Sequence, residues 1–312
     1  MSTFLEICKQ IGREIGKPGT GPTTVVSQTG EYGDIVRWAS RSYLEIQNRH
    51  GGRWNWLRQE FTLPVTALWD TYTYAKATDV RDAAAISRFK GWILDDTLNP
   101  PKIYPGPSSI GNEHWLSWTT WEWFRSIYRI GTQTASTPAH VSETPQQEIV
   151  LGPKPNAKLR FNTGTAAFVV GETVTGGTSA ATGLISAVTL ESGSWVGGDA
   201  AGYLTLDTDT GVTGGPFVIE TITSLSGSAT SEATFTVSGE YFKGPQILAA
   251  DTDVPEMPSD FHDLIVYYAI EKYGYLEAAT EVLARAEKYS RTYMRQLENH
   301  QLARMRMRGP LV

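Results

Sequence analysis

The chain has 312 residues, with 27 Lys and Arg, 33 Asp and Glu, and one cysteine, Cys8. Its length exceeds the ~100–200 residues of one domain, so two or three modules are expected. A lone cysteine excludes an intramolecular disulfide framework or a Cys-rich zinc site and fits an intracellular or virion setting, while a net charge of −6 argues against general coating of duplex DNA, which relies on many phosphate neutralisations.

The opening MSTFLEICKQIGREIG lacks the basic start and apolar run of a signal peptide, and no segment approaches the ~20 apolar residues of a membrane span. A soluble protein with no membrane partner is expected. Phe4, Cys8, Ile11 and Ile15 recur at helical spacing behind Ser2 or Thr3 as cap, which predicts a helix over 3–15 that ends in Gly16 to Pro22. A second helix follows Thr29 with Ile35, Trp38, Ser42 and Ile46 on one face, and Gly51-Gly52 stops it.

Trp54, Trp56 and Leu57 lead into RQEFTLPV, whose alternation predicts a half-buried strand; Pro64 points to a sheet edge. Tyr72 to Tyr74 and Ile93 to Leu94 are further strand candidates, and the prolines of ILDDTLNPPKIYPGP predict turns. Residues 119–129 read as a short helix capped by Thr119 or Thr120. QQEIVLGPKPNAKLRF then predicts two strands joined by a Pro/Gly turn.

From Arg160 to Lys243 there is no basic residue between the two, only eight carboxylates in a stretch rich in Gly, Thr, Ser and Ala. Without those eight the chain has 27 basic against 25 acidic residues, so the charge divides between a near-neutral frame and an acidic insert. Within it, Phe168, Val169, Val170, Glu172, Thr173 and Val174 match Phe217, Val218, Ile219, Glu220, Thr221 and Ile222 when one residue is skipped, with YLTLDTDTGV between. Two weak repeats predict a small all-β module and are too few for a solenoid; low-complexity convergence remains open. ATFTVSGEYF resumes strand alternation, so LRF and FTVSGEYF are expected as hairpin neighbours with the insert at the tip, where loop closure costs little.

After PEMPSDFHD, Ser259 can cap a helix carrying Leu264, Tyr268 and Tyr275, with a break at Gly274. A final helix places Val282, Ala286, Tyr289, Tyr293 and Leu297 on one face and Arg285, Lys288, Arg291 and Arg295 on another, with Glu281–Arg285 and Glu287–Arg291 as i,i+4 pairs. The end, QLARMRMRGPLV, alternates Arg304, Arg306 and Arg308 with Met305 and Met307. Solvated surface and a contact role both remain open for this basic face; Met adapts to irregular grooves and Arg adds forked hydrogen bonds.

Catalytic constellations are not apparent. His50, His114, His140, His262 and His300 are scattered without metal spacing, and there is no GxSxG elbow. GREIGKP departs from a phosphate loop at its glycine spacing and at Pro18. Asp207, Asp209 and Gly211 match only part of a calcium loop, and Asp95-Asp96 reads as a turn. No cofactor or metal is expected. Trp115, Trp118, Trp121, Trp123, Phe124 and Tyr128 are expected chiefly as core, the alternative being an exposed ridge that stacks sugars or bases.

The order of these elements resembles the head-to-tail adaptor (connector) proteins of tailed bacteriophages. VSGEYFKGPQ and DTDVPEMPSDFHDLIVYYAIEKYGYLEAA, within 235–300, are similar to that family's join between β domain and C-terminal helices, and MSTFLEICKQIGREIG and WNWLRQEF are similar in character. GETVTGGTSAATG looks like β modules of other phage structural proteins. The resemblance covers the frame, about three quarters of the chain. It implies an α+β fold with a helical bundle adaptor core and a small antiparallel β domain; the inserted Gly/Thr-rich all-β module expected from composition and repeats lies outside it. The frame would be 1–161 and 234–300, the insert 162–233 and the basic tail 301–312.

By the same resemblance the protein is a non-enzymatic virion component of the neck, assembled in the host cytoplasm. It would form a homo-oligomeric ring, usually of twelve copies, joining the portal protein to a tail or collar protein around a channel for double-stranded DNA. Portal contact would fall on 289–312, through Tyr293, Arg295, Leu297, Arg304, Met305, Arg306, Met307 and Arg308. Two other readings stand beside it: a carbohydrate- or receptor-binding virion protein using the Trp cluster and the insert, and a cell-wall hydrolase drawing on Asp95, Asp96 and Glu113.

Overall fold

The fold is taken from a computed structural model, which describes residues 2–106, 111–131 and 133–302. It is a mixed α+β protein. The described helices are α1 (Phe4–Glu14), α2 (Gly30–Asn48), α3 (Trp121–Tyr128), α4 (His262–Leu276) and α5 (Thr280–Gln301). The chain divides into two compact units, Met1–Arg58 with Phe242–Val312, and Gln59–Tyr241.

The first unit is helical and draws on both ends of the chain. Thr3 and Glu6 form a reciprocal capping box that satisfies two orphan N–H groups of α1. Phe4, Ile7, Cys8 and Ile11 then bury one stripe of α1 in a core shared with Ile35, Ala39 and Ile46 of α2, Ile265 and Ala269 of α4, and Ala286 and Leu297 of α5. Trp54 closes this core, donating its indole N–H to the Ile46 carbonyl at 2.9 Å. Burial among these side chains pushes the Cys8 thiol up to about 12, so it packs and stays protonated.

The C-terminal helices depart from expectation in three places. Ser259 does not cap α4; it starts a short 3-10 turn, Ser259–Phe261, and α4 begins at His262. Gly274 does not break α4, which runs to Leu276; a Cβ there would lie 3.0 Å from Leu283 Cβ, so the glycine lets α5 approach closely. The buried stripe of α5 is Ala286, Ser290, Met294, Leu297 and Gln301, whereas Tyr289 and Tyr275 are exposed. Ser290 escapes a hydrophobic count, yet its hydroxyl donates to Glu271 of α4, which makes it a good interior residue.

The second unit is built on strands. Before α3 come β1 (Arg58–Val65), β2 (Thr71–Tyr72), β3 (Thr78–Asp79), β4 (Ala84–Ala85), β5 (Phe89–Ile93), β6 (Lys102–Pro105), β7 (His114–Trp115) and β8 (Ser117–Trp118). After it come β9 (His140–Glu143), β10 (Ile149–Gly152), β11 (Lys158–Ala166), β12 (Thr173–Gly176), β13 (Thr182–Ser192), β14 (Ala200–Leu206), β15 (Val212–Thr213), β16 (Thr221–Thr223), β17 (Ser228–Glu232) and β18 (Phe235–Lys243).

The first sheet runs β4-β3-β1-β18-β6-β7, with β5 also paired to β18, and the second runs β2-β10-β9-β8. They share a core that includes Phe61, Leu63, Trp92, Ile103, Val141, Ile149 and Val237. β1 is therefore internal, not an edge. Pro64 is accommodated because β3 reaches only Phe61 and Thr62, so no ladder partner on that side waits for the missing N–H. Lys102–Pro105, expected as turn, is a strand paired with β18.

The third sheet closes on itself. Its order is β12-β16-β17-β11-β14-β13-β15, and β12 pairs back onto β13. The result is a six-stranded antiparallel barrel over Lys158–Glu232, with β15 extending β14 along the same side of β13. Leu159, Phe161, Phe168, Val174, Ile185, Leu204, Phe217 and Ile222 fill it, and closure removes free sheet edges. The expected hairpin of LRF with FTVSGEYF is absent: β11 pairs β14 and β17, while β18 lies in the first sheet. β10 and β11 likewise sit in different sheets. Arg160 pairs with Glu232, so the first and last strands of the barrel are neighbours and the chain enters and leaves side by side. The expected boundary at 161/162 falls within β11.

The two sequence repeats are structural equivalents. β12 and β16 pair antiparallel through Thr175–Thr223 and Gly176–Ile222. Each repeat's glutamate holds the turn of the other. Glu172 accepts from Ser224 and Ser226, and Glu220 accepts from Thr178, from Ser179 and from the Val218 N–H.

Candidate interaction surfaces

The residues expected to touch a partner on α5 separate by burial. Leu297 is fully buried in the helical core and is unavailable to another protein, which corrects its assignment. Tyr293 is half-buried with its ring 5.6 Å from Tyr267, and Tyr289 lies 5.2 Å from the same ring. Arg295 and Lys288 are exposed. Arg285 bonds the Glu14 carbonyl at 2.9 Å and pairs with the Glu14 carboxylate at 3.3 Å, in place of the expected Glu281. The expected Glu287–Arg291 pair forms at 3.0 Å. Arg304, Met305, Arg306, Met307 and Arg308 lie outside the described residues.

The Trp-rich segment is not a core. Leu116 and Phe124 point inward, but Trp115 is 68%, Trp118 47% and Trp123 42% exposed, joined by exposed Ile127 and Ile130. Thr120 caps α3 by accepting the Trp123 N–H, and only Phe124 of α3 is buried. The helix therefore anchors through one ring and turns its neighbours outward. β8 runs parallel to β9, setting Ser117 opposite His140 and Trp118 opposite Val141. Trp123 packs 5.2 Å from the His140 ring, and the Tyr128 hydroxyl bonds His140 Nδ1 at 2.8 Å. Sequence spacing alone favoured burial here because exposed and buried aromatic stripes share one period.

The barrel carries a second apolar surface. Loops 167–172 and 193–199 and the turn 224–227 lie at the same end, since Trp195 packs 5.9 Å from Phe168 and Ser226 bonds Glu172. That end presents Val169, Val170, Val196 and Leu225, the last two essentially fully exposed. The other end holds the junction with the rest of the unit, where the Leu68 N–H reaches the Asn156 carbonyl and Leu206 reaches Ala157.

The barrel segment 158–232 contains seven acidic residues against Lys158 and Arg160. One acid, Glu191, pairs with Arg160 at 2.7 Å. Glu172, Asp199, Asp207, Glu220 and Glu232 are held by neutral N–H and O–H donors. Hydrogen bonds from Ser224 and Ser226 hold Glu172 below the usual carboxylate range, and the Thr210 bond does the same for Asp207. Asp207 thus caps a turn, as an Asx residue does.

The catalytic alternatives are not brought together. Asp96 accepts from the Leu98 and Asn99 N–H groups, which makes the expected turn. Glu113 pairs with Lys102 at 3.3 Å and lines a cleft of about 280 Å³ with Glu60, Thr62 and Asn99, which neither Asp95 nor Asp96 reaches. Burial and then the Asp95 charge push Glu143 up. GREIGKP closes α1 instead of opening a helix, as a phosphate loop would, and its Lys17 pairs at 2.7 Å with Glu31 in the first turn of α2. Among the described residues no group of three or more His, Cys, Asp and Glu could hold a metal ion, and no helix is long and apolar enough to cross a membrane.

Comparison with known protein families matches none of them to this chain, and no curated protein matches its sequence.

Proposed function

We propose that this chain is a structural connector of a tailed bacteriophage, a ring component joining the portal to the tail without catalysis. The observation that carries the reading is the helical unit, in which α1 and α2 from one end of the chain share a core with α4 and α5 from the other. This matches the frame order behind the resemblance. In this reading those helices are the adaptor bundle, the barrel is the inserted accessory, and α5 leads its exposed Lys288 and Arg295 toward the basic 301–312 tail.

Assembly would then rest on avidity. A tail that orders on its partner loses entropy, and repetition around a ring turns weak contacts into tight attachment. An acidic surplus suits a channel that passes DNA without gripping it. The test is negative-stain imaging of the protein mixed with isolated portal rings from the same phage. Full-length protein is expected to decorate them and a variant lacking 301–312 to leave them bare; normal decoration by the truncated protein would sink the portal assignment.

The exposed Trp115, Trp118 and Trp123 favour a second reading, a virion protein that stacks carbohydrate on this ridge. Glycan-array binding lost in Trp118→Ala supports it. A blank array for the wild-type protein counts against it.

A further inference from the structure

The second unit exposes two separate apolar surfaces, and a strand length keeps them apart. The barrel's free end shows Val169, Val170, Val196 and Leu225, and the ridge of β8 and α3 shows Trp118, Trp123 and Ile127. β11 runs nine residues from the junction toward the free end, a distance of about 25–30 Å at ~3.3 Å per residue. Residues 135 and 136, just after α3, pack at the junction end, where Ser136 bridges Pro155. The free end therefore cannot fold back onto the ridge of its own chain.

The barrel end leaves on the order of 500 Å² of largely apolar side-chain area in water and the three ridge residues on the order of 300 Å², the size of the largest patch on a typical monomer, which is often functional. Both fall short of the ~800 Å² per partner of a stable contact, so polar groups around each patch complete the interface. The barrel end is acidic and the ridge near neutral. The barrel has no basic residue after Arg160 and carries Glu172 and Asp199 in the loops of its free end, while α3 presents exposed Glu122 and exposed Arg125 next to the ridge, Arg125 being the group of opposite sign to those loops. An anionic lipid surface would repel the barrel, which leaves protein as the better occupant.

We infer that the free end of the barrel seats on the Trp118–Trp123 ridge of a second copy of this chain, forming a head-to-tail contact. Two different surfaces on one subunit make a heterologous interface, which closes into a ring when the rotation per copy permits. Val196 and Leu225 enter between the indole faces, and Arg125 meets the acidic loops. This inference rests on the ring reading above and gives the barrel a role within it.

Heterologous pairing has a signature that self-complementary pairing lacks. A barrel variant, Val196→Asp with Leu225→Asp, keeps a sound ridge; a ridge variant, Trp118→Ala with Trp123→Ala, keeps a sound barrel end. All four side chains are exposed, so the fold should survive. Sedimentation of wild-type protein, with and without portal rings, should show multi-copy assemblies. Each variant alone should remain a monomer, and a one-to-one mixture of the two should stop at dimers, because only one interface per pair is intact. If the wild type assembles and both variants assemble as well, the contact lies elsewhere and the ring reading stands. If the wild type remains single at every concentration and around the portal, both readings fail. Glycan binding lost in the ridge variant with assembly unchanged would give the ridge to the carbohydrate reading and overturn this one.

Discussion

Replacing Glu220 with alanine tests whether the reciprocal glutamates hold the barrel closed. The seam between β12 and β16 has only two paired positions, whereas β13 and β14 are matched over six. Glu220 reinforces that short seam from a site only 7% exposed, accepting from the Ser179 N–H at 2.8 Å, from the Thr178 N–H, and from the Ser179 hydroxyl. Burial works against its charge, but these bonds and the Val218 N–H outweigh it and leave the carboxyl below its ordinary range. A hydrogen bond to a charged group contributes ~1.5–3 kcal/mol, and losses within one cluster are not additive, so removal should cost about 2–4 kcal/mol. At ~1.4 kcal/mol per factor of ten, amides of β12 and β16 should exchange about 30- to 1,000-fold faster by hydrogen-exchange mass spectrometry. Glu220→Gln keeps one acceptor and should fall between. Exchange within threefold of wild type in Glu220→Ala would refute the idea that this carboxylate closes the seam.

Three further outcomes follow from the same geometry. His262 is 2% exposed, its Nε2 meets the Met257 carbonyl at 3.1 Å, and burial holds its pKa below the ordinary value. The neutral form is thus favoured on folding, so stability is present above ~6.5 and declines as pH falls from there toward the folded pKa; His262→Phe should flatten the pH dependence of thermal unfolding in that window. Leu297→Ala should destabilise the helical unit by ~2–5 kcal/mol in denaturant melts, whereas exposed Arg295→Ala should stay within ~0.5 kcal/mol and alter only partner binding. Excision of 157–233 with a short linker should leave a soluble protein, since Arg160 and Glu232 are adjacent at the barrel's ends; excision of 163–233 strands Leu159 and Phe161 in water and should aggregate on size exclusion.

The sequence was most legible where one period decided the structure and the residues announcing an end were local. Thr3, Gly51-Gly52 and Thr120 mark helix ends that the structure keeps within a few residues. The repeats were legible for the same reason, because Glu172-Thr173-Val174 and Glu220-Thr221-Ile222 occupy matching positions in paired strands. Strand partners were not, since alternation states which face of a strand is buried and says nothing of its neighbour: LRF and FTVSGEYF alternate well yet lie in different sheets. Exposure failed at the Trp cluster for a related reason. Phe124 anchors α3, and the rings beside it follow the same helical period whether or not a second layer covers them. A pattern reports which residues share a face; whether that face is covered depends on the rest of the chain, or on another copy of it.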